Sequence, residues 1–198
     1  MFDQKQFNHF IQENQVVKHF DKAIRLKSGE TSHTYINWRQ ATSDAYISYE
    51  LTNFILSAMH QYYPEATCIY GVAEGASKLA VISQFLWAQQ QESFEKDLYP
   101  LAMGRGKAKE HGDPADRYFL GSPKGKIVVL EDVITTGGSL LDTLKQLEEM
   151  DADILGVLVL TDRSTKKHAF HDYMDSKNIP LKALSSLSEL EQSLTSKH

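Results

Sequence analysis

Residues 127–139 read IVVLEDVITTGGS, an order of side chains suited to holding a phosphate. Glu131 and Asp132 stand side by side, Val133 and Ile134 follow, and Thr135, Thr136, Gly137, Gly138 and Ser139 lead into the helical run LLDTLKQLEEM. The glycines let backbone N–H groups come close to an anion, and the hydroxyls add side-chain donors. The helix that follows contributes the partial positive charge of its N-terminus. Two carboxylates so near a phosphate site do not bind phosphate themselves; they suit vicinal sugar hydroxyls or a hard cation such as Mg²⁺. The run has neither the Lys of a triphosphate-binding loop nor the G-x-G-x-x-G spacing of a dinucleotide fold. An ordinary capped helix after a buried strand would explain neither the adjacent acids nor the paired glycines.

Three other segments carry reactive or charged groups. RGKAKEHG, residues 105–112, gathers Arg105, Lys107, Lys109 and His111 within seven residues of an otherwise acidic chain. LKSGETSHTYINWR, residues 26–39, combines Lys27 with Tyr35 and Ile36, a cation beside flat and apolar side chains. TDR, residues 161–163, closes an apolar strand candidate, and its guanidinium suits a planar carboxylate better than an ammonium would. Taken alone, a charged loop, a hairpin with a surface lysine and a strand-end Asp-Arg are each ordinary structural features.

Together these segments resemble the orotate phosphoribosyltransferases, within the type I phosphoribosyltransferase family. The thirteen residues 127–139 match, without a gap, the signature that binds 5-phosphoribosyl 1-diphosphate (PRPP), and the likeness extends over roughly residues 15 to 165. The resemblance implies a transfer of the phosphoribosyl group of PRPP to orotate, giving orotidine 5′-monophosphate and pyrophosphate in UMP synthesis. It implies that the run from Val133 to Ser139 binds PRPP, with Thr135 to Ser139 on the 5-phosphate. Glu131 and Asp132 would hold the ribose hydroxyls, and a Mg²⁺ cofactor directly or through water or PRPP. Asp132 would join Arg105, Lys109 and His111 in catalysis. The basic loop, Lys107 included, would close on the departing pyrophosphate. YGVAEGASKLA, from Tyr70 to Ala80, would be the pyrophosphate loop, with a non-proline cis peptide at Ala73–Glu74. Orotate would meet Lys27, Tyr35, Ile36 and Thr135, with Arg163 on its carboxylate. Members are dimers whose loops reach into the partner's site, so a homodimer with shared sites is implied. The chain departs from the family pattern at His33 and Lys78, where proline is usual, at Asn37 for aspartate, and at Gly106 for lysine, with Lys107 one place later. Proline is also usual at Val72 or Ala73. Lys78 reads either as a new phosphate contact or as a solvated lysine at a helix start.

The elements that must position these groups alternate. A short amphipathic helix over 3–13, with Phe7, Phe10 and Ile11 on one side, precedes an extended KHFDKAIRL, a KSGE turn and a returning strand TYINW. A helix over 43–61 stops before Pro64. Strands at 67–72, 98–103, 127–133 and 154–161 are separated by helices at 76–91 and 138–150, which predicts a parallel sheet with right-handed crossovers. Ligands of such sheets sit at the carboxyl ends of the strands, where the acids and glycines fall. The expected architecture is therefore α/β: a type I phosphoribosyltransferase-like parallel β-sheet flanked by helices. A small N-terminal hood, mainly residues 1–40, completes it. Residues 104–121 are polar and long for a connection, which suggests a flexible catalytic loop.

At 198 residues the chain fits one domain, 1–198, without internal repeats. A net charge of −5 invites neither nucleic acid nor an anionic membrane, and no apolar run suits a membrane span. The polar start MFDQKQFNHF is unlike a secretory signal, and the lone Cys68 falls in a buried strand candidate, so the expectation is a cytoplasmic protein without disulfides. Two other functions fit the same motifs: a phosphoribosyltransferase for another nucleobase, for which Arg163 would have no carboxylate, and a non-catalytic PRPP-binding regulator. The stretch from Ser164 to His198 reads as helix and strand compatible with closing the sheet.

Overall fold

A computed structural model describes residues 1–25, 29, 31–105, 111 and 119–195. Its centre is a four-stranded parallel sheet in the order β3-β6-β7-β8, where β3 is Cys68–Gly71, β6 Lys126–Ile134, β7 Asp153–Asp162 and β8 Leu181–Ala183. The apolar runs of β6 and β7 are continuous because both faces are covered. Val128, Leu130, Leu158 and Leu160 pack into one core with side chains of α1 (Gln4–Glu13), α3 (Ala45–Tyr62) and α4 (Ser77–Gln89). Ile127, Val129, Val157 and Val159 pack into the other with α5 (Gly138–Glu148) and α6 (Ala169–Lys177). Each such fully buried aliphatic side chain contributes roughly 1.5–3 kcal/mol, so this strand pair is the rigid floor of the molecule.

The N-terminal segment forms a separate antiparallel hairpin, β1 (Val17–Arg25) and β2 (Thr31–Ile36), with an irregular register between His19 and Ile24. The return strand ends earlier than TYINW suggests. Asn37 accepts a hydrogen bond from the Gln40 N–H (3.2 Å) and turns the chain into the short helix α2 (Trp38–Ala41). The helix expected over 43–61 starts at Ala45, where Asp44 caps the Ile47 N–H (2.9 Å), and ends at Tyr62, before Pro64.

The strand expected at 98–103 does not join the sheet. Met103–Gly104 (β4) makes a two-residue antiparallel ladder with Phe119–Leu120 (β5). Pro100 has no N–H for a ladder, and Leu98 and Leu101 are exposed. The C-terminal stretch does extend the sheet: after α6, β8 adds a parallel edge strand beside β7, and α7 (Leu187–Thr195) follows. Among the described residues no helix is long and apolar enough to cross a membrane. Cys68 is a buried core thiol, pushed up to about 11 by its burial.

Candidate active site

The carboxyl ends of β3, β6 and β7 open into a cleft of about 400 Å³, roofed by the hood. Its floor is the run after β6. Asp132 and Val133 lie at the end of the strand, Thr135 and Thr136 follow, and Gly137, Gly138 and Ser139 begin α5. Gly137 stands at the N-cap of α5 with φ 70°, in the left-handed region, and a Cβ there would lie 2.1 Å from a Phe170 ring carbon. Only glycine makes this bend without displacing the ring. The turn aims the first N–H groups of α5 and the Thr and Ser hydroxyls at one concavity, which is the geometry of a phosphate cradle.

The two acids are not equivalent. Glu131 is 6% exposed, and burial first, then the neighbouring Asp132 charge, holds its carboxyl well above the usual carboxylate range. The Arg39 guanidinium opposes this shift. Glu131 Oε1 accepts the Asp132 N–H at 3.2 Å, and Asp132 Oδ1 accepts the Val133 N–H at 3.0 Å. Beside them runs the loop after β3, whose Ala73–Glu74 peptide is cis, as the family resemblance implies. A Cβ on Gly75 would come within 2.4 Å of both Asp132 carboxylate oxygens, so the loop backbone packs directly on that carboxylate.

Arg163 enters from the end of β7. It is 6% exposed; its backbone N–H donates to the Ile134 carbonyl (2.8 Å), and its Nη2 donates to Ser32 Oγ in the hood (3.0 Å). The hood itself is pinned to the sheet by Trp38, whose indole Nε1 donates to Thr161 Oγ1 at 3.0 Å. The Ser185 hydroxyl donates to the Leu160 carbonyl (2.7 Å), so the Thr161 hydroxyl is the donor in their 2.9 Å contact. The result is a closed buried relay.

The cleft thus brings together Tyr35, Ile36, Ala73, Glu74, Glu131, Asp132, Val133, Thr135, Thr136, Gly137, Gly138, Ser139 and Arg163 from the residues singled out in the sequence. Ile134 is different: its side chain is buried in the core, and its carbonyl steadies Arg163. Arg105 and His111 do not line the cleft. Lys27, Gly106, Lys107 and Lys109, with most of the 104–121 loop, lie outside the described residues. Lys78 is an exposed lysine in the first turn of α4, and it donates to the Thr42 carbonyl at the end of α2. His33 is accommodated within the hairpin, Nδ1 against the Phe20 carbonyl (2.9 Å) and its ring stacked on His19. The lining also includes Asn37, which stands at a position of the family pattern, and Trp38, Arg39, Gly75 and Leu140, which carried no motif signal beyond proximity to one.

No family model matches the chain. A curated relative named orotate phosphoribosyltransferase, from Thermosynechococcus vestitus, is 34% identical over 84% of this chain and 82% of its own length. The chain belongs to the orotate phosphoribosyltransferases. The solved orotate phosphoribosyltransferase of Aeropyrum pernix superposes with a TM-score of 0.71 at 21% identity, over 96% of this chain and 99% of that one. The Mycobacterium tuberculosis orotate phosphoribosyltransferase solved with PRPP superposes at 0.62 and 17% identity, over 96% and 99%. The cleft floor of this chain is the run 131–139, and Arg163 lines the same cleft. Among the described residues no group of three or more His, Cys, Asp or Glu side chains is placed to hold a metal.

Proposed function

We propose that the cleft transfers the phosphoribosyl group of PRPP to orotate, giving orotidine 5′-monophosphate and pyrophosphate. The observation that carries this reading is the convergence, in one cleft, of a phosphate cradle, an acidic pair and a buried guanidinium. A phosphorylated sugar needs the first two, and a planar carboxylate on the acceptor needs the third. A neutral base such as uracil or adenine offers the Arg163 guanidinium no carboxylate to bind, which disfavours it.

The chemistry follows from what each group can do. Thr135 to Ser139 and the N-terminus of α5 bind the 5-phosphate and fix one end of the ribose. Glu131 and Asp132 accept hydrogen bonds from the ribose hydroxyls. Tyr35 and Ile36 cover the flat face of the base, and Arg163, oriented by Ser32, aligns its carboxylate. In the reaction the bond from C1 of the ribose to the diphosphate oxygen breaks and that oxygen keeps the electron pair. Orotate N1 supplies the pair of the new C1–N1 bond, and its proton leaves to pyrophosphate or solvent. No protein nucleophile is needed; positioning and charge placement lower the barrier. Lys109, Arg105, His111 and Lys107 are assigned to the leaving diphosphate, and Lys27 to the base.

The donor set fits Mg²⁺. Two adjacent carboxylates, one exposed to the cleft, are what an ion that keeps waters and phosphate oxygens in its shell requires of the protein. Bound there by Glu131 and Asp132, Mg²⁺ would neutralise charge on the diphosphate. The whole chain, 1–198, forms one domain in this reading, acting in the cytoplasm as a homodimer with sites completed by the partner's loop. Apolar side chains left exposed around α4 and the β4–β5 ladder, Phe85, Phe94, Leu101 and Leu120, are consistent with a buried dimer face.

The base assignment is tested by supplying PRPP and Mg²⁺ with orotate, uracil, hypoxanthine and adenine in parallel. Orotate alone should be converted. Turnover of another base in its place would keep the PRPP cleft and remove the role given to Arg163.

A further inference from the structure

The diphosphate of PRPP is the most charged group the cleft must hold. The 5-phosphate has the α5 N-terminus and its hydroxyls, and the orotate carboxylate has Arg163. Among the described residues the diphosphate has the backbone of Ala73–Gly75 beside Asp132, and two side-chain cations line the cleft, Arg39 and Arg163. Arg163 is buried and held by Ser32. Arg39 is exposed, and its guanidinium makes no hydrogen bond or ion pair with the described residues.

Arg39 is nonetheless carried on a fixed mount. Its neighbour Trp38 is 2% exposed, bonded to Thr161 and stacked on Phe7 at 5.8 Å. Asn37 caps the start of α2, and Lys78, from the helix that follows the Ala73–Gly75 loop, closes its end on the Thr42 carbonyl. The hood helix and the helix after the Ala73–Gly75 loop are therefore tied together, and Arg39 lines the same cleft as that loop.

We propose that Arg39 is a diphosphate-binding residue, its planar fork gripping the diphosphate of PRPP and the pyrophosphate product. The proposal rests on the phosphoribosyltransferase reading of the cleft. A guanidinium matches two phosphate oxygens at once, which a lysine does not. Arg39 belongs to the hood helix and not to the cradle run, so its loss should weaken the diphosphate end of PRPP only.

The test is calorimetry of the full chain with three probes: inorganic pyrophosphate with Mg²⁺, ribose 5-phosphate, and orotate. Arg39→Gln should weaken pyrophosphate binding about tenfold or more, the loss expected for a charged, bidentate contact. Ribose 5-phosphate and orotate binding should stay within about twofold of the parent, and Arg39→Lys should recover part of the pyrophosphate affinity. In turnover, the PRPP KM should rise while the orotate KM holds. Unchanged pyrophosphate binding overturns the proposal, as does an equal loss for ribose 5-phosphate, which would place Arg39 at the cradle. A loss confined to orotate would make it a base contact and overturn it too. Parent protein that binds neither pyrophosphate nor ribose 5-phosphate would instead remove the reading of the cleft itself.

Discussion

Replacing Gly137 by alanine tests the cradle's backbone geometry against a neighbour that differs by one position. At Gly137 the φ of 70° costs an L-residue roughly 1–2 kcal/mol. The new Cβ would also meet Phe170 ring carbons at 2.1 and 2.6 Å, inside a side chain with no exposed surface, an overpacking of about 1–3 kcal/mol. The sum predicts a loss of about 2–5 kcal/mol for Gly137→Ala. At Gly138 a Cβ meets nothing within 4 Å and the residue is already helical, so Gly138→Ala should be neutral or stabilise by up to about 1 kcal/mol. Urea denaturation of the two variants without ligand gives both values. In a Phe170→Ala background the clash disappears and only the conformational cost remains, so the Gly137→Ala effect should shrink by about 1–3 kcal/mol. Equal effects at the two glycines, or a Gly137→Ala loss below about 1 kcal/mol, would refute the reasoning.

Three further outcomes are expected. Glu131 has a raised carboxyl, so its share of stability is fully present below the unfolded value of 4.5 and is lost as pH rises through the folded value. Ligand-free Glu131→Gln should therefore gain on the parent as pH rises, by up to about 1.4 kcal/mol per pH unit; a pH-independent difference in urea denaturation would contradict it. Trp38→Phe should destabilise by about 1–2 kcal/mol and couple to Thr161→Val by about 1 kcal/mol, the value of the buried hydrogen bond; strict additivity in a double-mutant cycle would remove it. Cys68, buried and with its thiol pushed up to about 11, should resist alkylation in the native protein and react only on unfolding, so rapid native labelling would place it outside the core.

The parts of the molecule visible in the sequence are those governed by local chemistry. IVVL and LGVLVL announce buried strands because both faces are covered by helices, and TTGGS announces the turn because Gly137 must take a left-handed bend. The run YPLAM reads as a strand by its apolar content, yet Pro100 and the exposure of Leu98 and Leu101 leave it out of the sheet. The short helix α2 was hidden because Asn37 caps it inside the run TYINW, which its apolar and β-branched residues make read as strand to its end. In the site, the missing information is long-range. Ser32 meets Arg163 across 131 residues of chain, and Gly75 packs on Asp132 from a different strand. Neither partnership has a spacing that a sequence can display. Arg39 falls in the same class, since its value depends on where Trp38 anchors the hood.

The measurement closest to the central claim is orotate consumption, followed by its absorbance, with PRPP and Mg²⁺, for the parent and for Arg163→Ala. The account predicts conversion of orotate by the parent. For the variant it predicts an orotate KM raised by about tenfold or more with the PRPP KM nearly unchanged. A parent that binds PRPP but leaves orotate untouched, or a variant whose orotate KM equals the parent's, would contradict it.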